Sequence, residues 1–210
     1  MEHFMKIQHK WLLAAAVAMT TTVGFTGAAM ADPGDSTDVA VTVDIAPIEE
    51  PGVLAMSVSS NSVALAEEGS TLEERQFTGT LPTVTVTDTR TGDEIPDGAA
   101  WAVLGNASDF TGNAGQAPIS AGHLGWKPNL IDGGDTGLVA EGEEVVTVLD
   151  APTQPGNNVG LVDQELLVST FDSAEVTEGS YKVNADLTLK TPADVAAGSY
   201  SSTLTLSLFE

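Results

Sequence analysis

The chain has 210 residues, with 7 basic side chains against 30 acidic ones, a formal charge of −23, and no cysteine. That length suits one domain or two small ones, and it is ample for a buried core, since roughly 70% of the unfolded surface is buried at about 150 residues. The charge repels phosphate backbones and argues against nucleic-acid binding, while the missing cysteines exclude disulfides, thiolate metal sites, cysteine nucleophiles and lipid-modified cysteine anchors.

The first element in chain order is an address. Lys6 and Lys10 form a positive start, an Ala-, Leu- and Val-rich stretch runs from Trp11 to about Ala18, and Ala29-Met30-Ala31 gives an A-x-A site before Asp32. This is the three-part layout of a secretory signal peptide. A membrane anchor fits less well, because Thr20, Thr21 and Thr22 interrupt the apolar core and leave it short of the ~20 residues a span needs. Cleavage after Ala31 removes Lys6, Lys10 and Glu2, leaving 179 residues with 5 basic and 29 acidic side chains, a net −24. No second long apolar run follows, so no membrane span is expected after cleavage. The expected organisation is a signal peptide over 1–31, an acidic lead-in over 32–52 and one β domain over 53–210.

Period-two alternation dominates the remainder. In the lead-in, Val39, Val41, Val43 and Ile45 alternate with Ala40, Thr42 and Asp44, which favours a first strand preceded by a loose end over a flexible acidic segment. Val84 and Val86 alternate with threonines, and Trp101 shares a face with Val103. Tyr181, Val183, Ala185, Leu187 and Leu189 form a longer set, and Tyr200, Leu204, Leu206 and Leu208 form the last. Such segments suit strands with one buried and one wet face, as in antiparallel sheets. Turn sequences separate them, among them Pro51-Gly52, Thr91-Gly92, Asp97-Gly98, Pro155-Gly156 and Glu178-Gly179. One short helical turn is expected at Thr191–Gly198, where a cap residue, a proline and a closing glycine coincide. The pattern predicts an all-β, antiparallel β-sandwich of the Ig-like or Greek-key type. Gly179-Ser180-Tyr181 and Gly198-Ser199-Tyr200 each open a strand containing Leu-Thr-Leu, which predicts two consecutive antiparallel strands. Tyr181 is a candidate corner tyrosine, bonding back to the chain.

Catalytic chemistry is sparse. The mature chain keeps one histidine, His123, in a glycine-flanked connection, and no Gly-x-Ser-x-Gly occurs. Two- or three-ligand His/Cys zinc sites cannot be built, and phosphate- or dinucleotide-cradling glycine loops are absent. Asp163 and Glu165 share a face of a possible strand, and they are read as a solvated acidic edge rather than a glycosidase pair. No cofactor is expected. Calcium is the ion best suited to the acidic turns Asp93-Glu94…Asp97 and Asp132-Gly133-Gly134-Asp135, although neither has EF-hand spacing. Trp101, in a strand, reads as a core residue. Trp126, in Gly125-Trp126-Lys127-Pro128, reads as turn chemistry, either as a surface ring for sugar or a partner or as a ring buried beneath a long loop. Trp101, Trp126 and His123 are the candidate binding residues, and Asp88 and Arg90, on one side of a strand at i and i+2, are expected to brace the turn at Thr91-Gly92 as an exposed pair worth at most ~1 kcal/mol.

At Phe77-Thr78-Gly79-Thr80-Leu81-Pro82-Thr83-Val84-Thr85-Val86-Thr87-Asp88-Thr89-Arg90, followed by Gly98-Ala99-Ala100-Trp101-Ala102-Val103, the chain resembles the WxL-domain proteins, secreted surface proteins of Gram-positive bacteria. Its end, Gly198-Ser199-Tyr200-Ser201-Ser202-Thr203-Leu204-Thr205-Leu206-Ser207-Leu208, is similar to the closing pattern of that family, with Leu206 in place of a tryptophan and, in the first motif, Val103 in place of a leucine. The resemblance spans about residues 53–210. It implies a non-catalytic protein held non-covalently to peptidoglycan or to co-exported surface proteins. The alternatives are a structural subunit of a surface fibre or layer, and a glycan-directed hydrolase. A net −24 is repelled by anionic wall polymers, so glycan or a protein partner is the expected contact, and screening by salt should strengthen it.

Overall fold

The computed structural model describes residues 42–45, 50–176 and 179–210. The expected signal peptide lies outside the described residues, as do Val39, Ala40 and Val41 of the expected first strand. Contacts divide the chain into residues 1–47 and 48–210. In the first unit, residues 42–45 form no regular secondary structure, and Val43 and Ile45 are 77% and 85% exposed. Within the described residues the apolar alternation of this segment therefore buries nothing.

The second unit is all-β. Its strands are β1 (Leu54–Val58), β2 (Ala66–Glu67), β3 (Glu74–Thr80), β4 (Val84–Asp88), β5 (Ala102–Ala107) and β6 (Thr111–Gly112). They continue with β7 (Leu124–Asp132), β8 (Val139–Glu141), β9 (Glu165–Thr170), β10 (Gly179–Pro192), β11 (Tyr200–Ser201) and β12 (Leu204–Phe209). Every strand pairing is antiparallel. The first sheet is built on β10. One edge of β10 pairs with β7, and the other takes β4 along Gly179–Val183 and then β3 along Asp186–Pro192. β3 and β4 thus lie end to end, joined where the Leu81 N–H donates to the Ala185 carbonyl at 2.8 Å. β1 extends the sheet beyond β4, and β2 extends it beyond β3. The second sheet has the order β12-β5-β9-β8, and β6 with β11 makes a separate two-stranded ribbon.

The period-two pattern decides which side chains meet between the sheets. On β10, Tyr181, Val183, Ala185, Leu187 and Leu189 are buried, while Lys182 and Asp186 on the opposite face are exposed. Val84 and Val86 of β4 face the same interior with no exposed surface, as do Trp101 and Val103 of the second sheet. The Trp101 ring lies 5.6 Å from the Tyr181 ring, joining the two layers.

Trp126 departs from its expected place. It lies within β7 rather than in a turn, and only 1% of it is exposed. The Trp126 N–H and carbonyl both bond to Val145, on the side away from β10. Two residues on, the missing N–H of Pro128 faces the same way, so the proline sits in a strand without breaking the β10 ladder. The Trp126 ring crosses to the other sheet and rests on Gly105. A Cβ at Gly105 would stand 2.6 Å from Cη2 of that ring and 2.9 Å from Cδ2 of Leu206.

Two further expectations are corrected. The final strands do not pair: β10 belongs to the first sheet and β12 to the second, so the connection between them crosses the sandwich. The helical turn expected at Thr191–Gly198 is absent. Thr191 and Pro192 instead end β10, and a single turn follows in which the Val195 N–H donates to the Pro192 carbonyl at 3.2 Å. Helical turns, both 3-10, occur at Gly92–Glu94 and Ala121–His123. A corner-type bond is made by the second tyrosine of the repeated Gly-Ser-Tyr, whose Tyr200 hydroxyl donates to the Ala196 carbonyl at 2.7 Å.

The contact at Gly105 makes a test. Gly105→Ala should cost about 1–3 kcal/mol through overpacking, and the cost should shrink in a Trp126→Phe background, where the smaller ring leaves room for the methyl. Urea unfolding of the four proteins of this cycle measures both quantities; equal costs in the two backgrounds would mean that the ring and the glycine are not in contact.

Candidate functional site

The two ends of the sandwich are finished differently. At one end, the alternation that buries Val84 and Val86 also turns Asp88 inward, where only 5% of it is exposed. A carboxylate so placed needs a partner, and Arg90 supplies one from two residues further along. Its Nε donates to Asp88 Oδ1 at 2.9 Å and its Nη2 to Oδ2 at 2.8 Å, while Nη1 donates to Glu210 Oε1 at 2.7 Å. The Asp88 hydrogen bonds hold the guanidinium above its ordinary pKa, outweighing the desolvation that opposes it. The pair is therefore neither exposed nor confined to bracing its turn, as the sequence led us to expect. It ties the end of β4 in one sheet to the residue after β12 in the other. Gly52 passes so close that a Cβ would stand 2.3 Å from the Arg90 Cα, and its N–H donates to Glu94 Oε1 at 3.1 Å. That bond and those from Thr91 lower the Glu94 pKa, with the Thr91 backbone contributing most.

The other end is open. A groove of about 550 Å³ lies between the inner face of β3 and β10 and the start of β12. Its walls include Phe77, Leu187, Leu189, Val195, Tyr200 and Leu204. Arg75 stands at its rim, 5.4 Å over the Phe77 ring and paired with Glu67 at 2.8 Å. Thr191 also lines the groove, and its hydroxyl is buried with no hydrogen-bond partner. Beside the groove runs β12, which is paired with β5 on one edge and with no described strand on the other. Leu204, Leu206 and Leu208 are only part-buried.

The structure does not bring the candidate binding residues into one site. Trp101 and Trp126 are both core side chains. His123 is half-buried, with Nδ1 2.7 Å from the Lys190 carbonyl, so its ring is engaged by β10. The acidic turns hold internal bonds: Asp132 Oδ1 accepts from the Gly134 N–H at 3.2 Å. Among the described residues, no group of three His, Asp or Glu converges to hold a metal ion.

A second, more polar hollow of about 310 Å³ lies on the outer face of the first sheet, lined by Asp150, Asp186, Lys190, Lys127, Gln76 and Glu144 among others. Asp150 pairs there with Lys190 and accepts from the Thr147 N–H and hydroxyl at 3.1 and 2.7 Å. Burial pushes its pKa up, but the Lys190 and Thr147 bonds outweigh that and leave it lowered. This is the direction opposite to that of a glycosidase general acid. Glu165, at the start of β9, is part-buried and its pKa is raised by that burial and then by Asp163, which lies before the strand and is exposed. The chain matches no family model, no curated protein and no solved structure.

Sequence reasoning missed the groove although every side chain lining it was visible. The Leu204-Leu206-Leu208 alternation marks a buried face equally well in a central strand and in an edge strand. That β12 ends its sheet follows only from the pairing.

Removing Arg90 should leave Asp88 charged, buried and unpaired. Arg90→Met is expected to cost about 3–5 kcal/mol in urea unfolding, and Asp88→Asn combined with Arg90→Met should recover a large part of it. A cost below about 1 kcal/mol for Arg90→Met would place the pair among ordinary surface bridges.

Proposed function

We propose that the chain is an exported, non-catalytic surface protein that associates non-covalently with the cell envelope through polypeptide partners, such as co-exported surface proteins. The observation that carries this reading is the apolar groove beside an unpaired strand edge. Strand addition takes its affinity from main-chain hydrogen bonds to such an edge and its selectivity from pockets for alternate side chains. The N-terminal signal pattern supports export, and the resemblance to the WxL-domain proteins supports a place at a Gram-positive surface. Direct stacking of the tryptophans on peptidoglycan glycan is disfavoured, because both rings fill the core. A net charge of −24 on the mature chain likewise favours a contact dominated by apolar and main-chain groups over one with anionic wall polymers.

Co-sedimentation of the mature chain with purified Gram-positive walls tests this. Walls that retain their proteins should bind it, more strongly as salt rises, and walls stripped of protein should bind at least about tenfold less. Undiminished binding to protein-free peptidoglycan would overturn the reading.

A further inference from the structure

We propose that the groove and the free edge of β12 receive residues 39–45 of a second copy of this chain, so that mature chains add head to tail, each supplying a strand to the next. The proposal shares its groove with the wall-association reading but goes beyond it, and it requires no wall.

Three features of the acceptor call for a strand. The outer edge of β12 has no described partner, so a row of backbone donors and acceptors is available. The inward leucines of β12 are only part-buried, and Leu204 lines a groove with room for several apolar side chains. The buried Thr191 hydroxyl lining that groove has no partner, although a buried hydroxyl ordinarily has one.

The chain itself carries a matching donor. Val39, Val41, Val43 and Ile45 alternate with Ala40, Thr42 and Asp44. Of these, Val43 and Ile45 are largely exposed, an uncommon state for a segment patterned to bury one face. Seven residues extend about 23 Å as a strand, against about 20 Å for the six of β12, at about 3.3 Å per residue. Paired there, the donor would turn its valines and isoleucine toward the groove side and leave Ala40, Thr42 and Asp44 on the outer face.

Direction favours a second copy over the chain's own segment. Gly52 lies against Arg90, and Arg90 binds Glu210, so the second unit begins at the end where β12 finishes. A chain folding back on its own β12 would run parallel to it. Every described pairing in the molecule is antiparallel, and parallel pairs are slightly less stable. A second copy has no such restriction and can enter antiparallel. Donor and acceptor are different surfaces, so the contact is heterologous and propagates unless it closes into a ring.

The mature chain contains no cysteine, which makes the test clean. Sedimentation velocity from micromolar to millimolar concentration should show a mass that grows with concentration and with salt, as screening relieves repulsion between acidic copies. Val43→Asp with Ile45→Asp should weaken self-association at least about tenfold while leaving urea unfolding unchanged. Separately prepared Thr42→Cys chains, mixed under oxidation with Thr205→Cys or Ser207→Cys chains, should form a mixed disulfide dimer. A chain that stays monomeric to millimolar concentration overturns the proposal. So does a disulfide that forms only when both cysteines are placed in one chain, or an association indifferent to the aspartates. No wall is present in these assays, so their failure leaves the wall-association reading to the co-sedimentation result.

Discussion

The contact on which the rest of the molecule depends is the Trp126 ring lying on Gly105. Two sheets pack face to face at about 10 Å, a gap that facing side chains must fill between them. Here a tryptophan from β7 fills it, and the opposite strand yields by having no side chain at that point. Leu206 borders the same glycine, so the arrangement reaches across β5 to the edge strand. Trp101 and Tyr181 form a second aromatic junction between the layers. With no cysteine available, this packing does the work that disulfides perform in many exported domains.

Because the aromatic residues are committed to the core, the surface features with something to offer are those at the ends and edges. The Asp88–Arg90–Glu210 network closes one end by joining β4 to the residue after β12. It also fixes where β12 ends and where Gly52 lies. The other end lacks such a closure and presents apolar surface, a lone hydroxyl and an unpaired edge. A long, exposed edge is normally blunted by charge, proline or a bulge. The sequence Leu204-Thr205-Leu206-Ser207-Leu208 carries none of these until Glu210. An edge left so plain fits a polypeptide partner better than free solvent.

Much of the fold was legible in the residues. Alternation at 84–86, 101–103 and 181–189 named the core correctly, since one buried face and one wet face leave a strict period of two, while the leucines of 204–208 are only part-buried against it. The failures share one cause, which is pairing that local sequence does not encode. Gly125-Trp126-Lys127-Pro128 carries turn residues, yet it is a strand because the proline falls on the side of β7 that faces away from β10. The repeated Gly-Ser-Tyr suggested neighbouring strands, yet Tyr181 lies in β10 of the first sheet and Tyr200 opens β11 of the two-stranded ribbon. Asp88 and Arg90 were recognised as a pair from their spacing, but their burial and the third member, Glu210, depend on a contact spanning 120 residues. The site was the least legible part, because a groove is a gap between elements and no residue pattern records it.

Trp101 and Trp126 are the two tryptophans beyond residue 31, so the fluorescence of residues 32–210 reports on their burial alone. Acrylamide quenching of folded residues 32–210 should be several-fold weaker than that of the urea-unfolded chain, with a blue-shifted emission. Quenching of half the emission at the rate of a free ring would show one tryptophan at the surface and would contradict the packing from which the rest is argued.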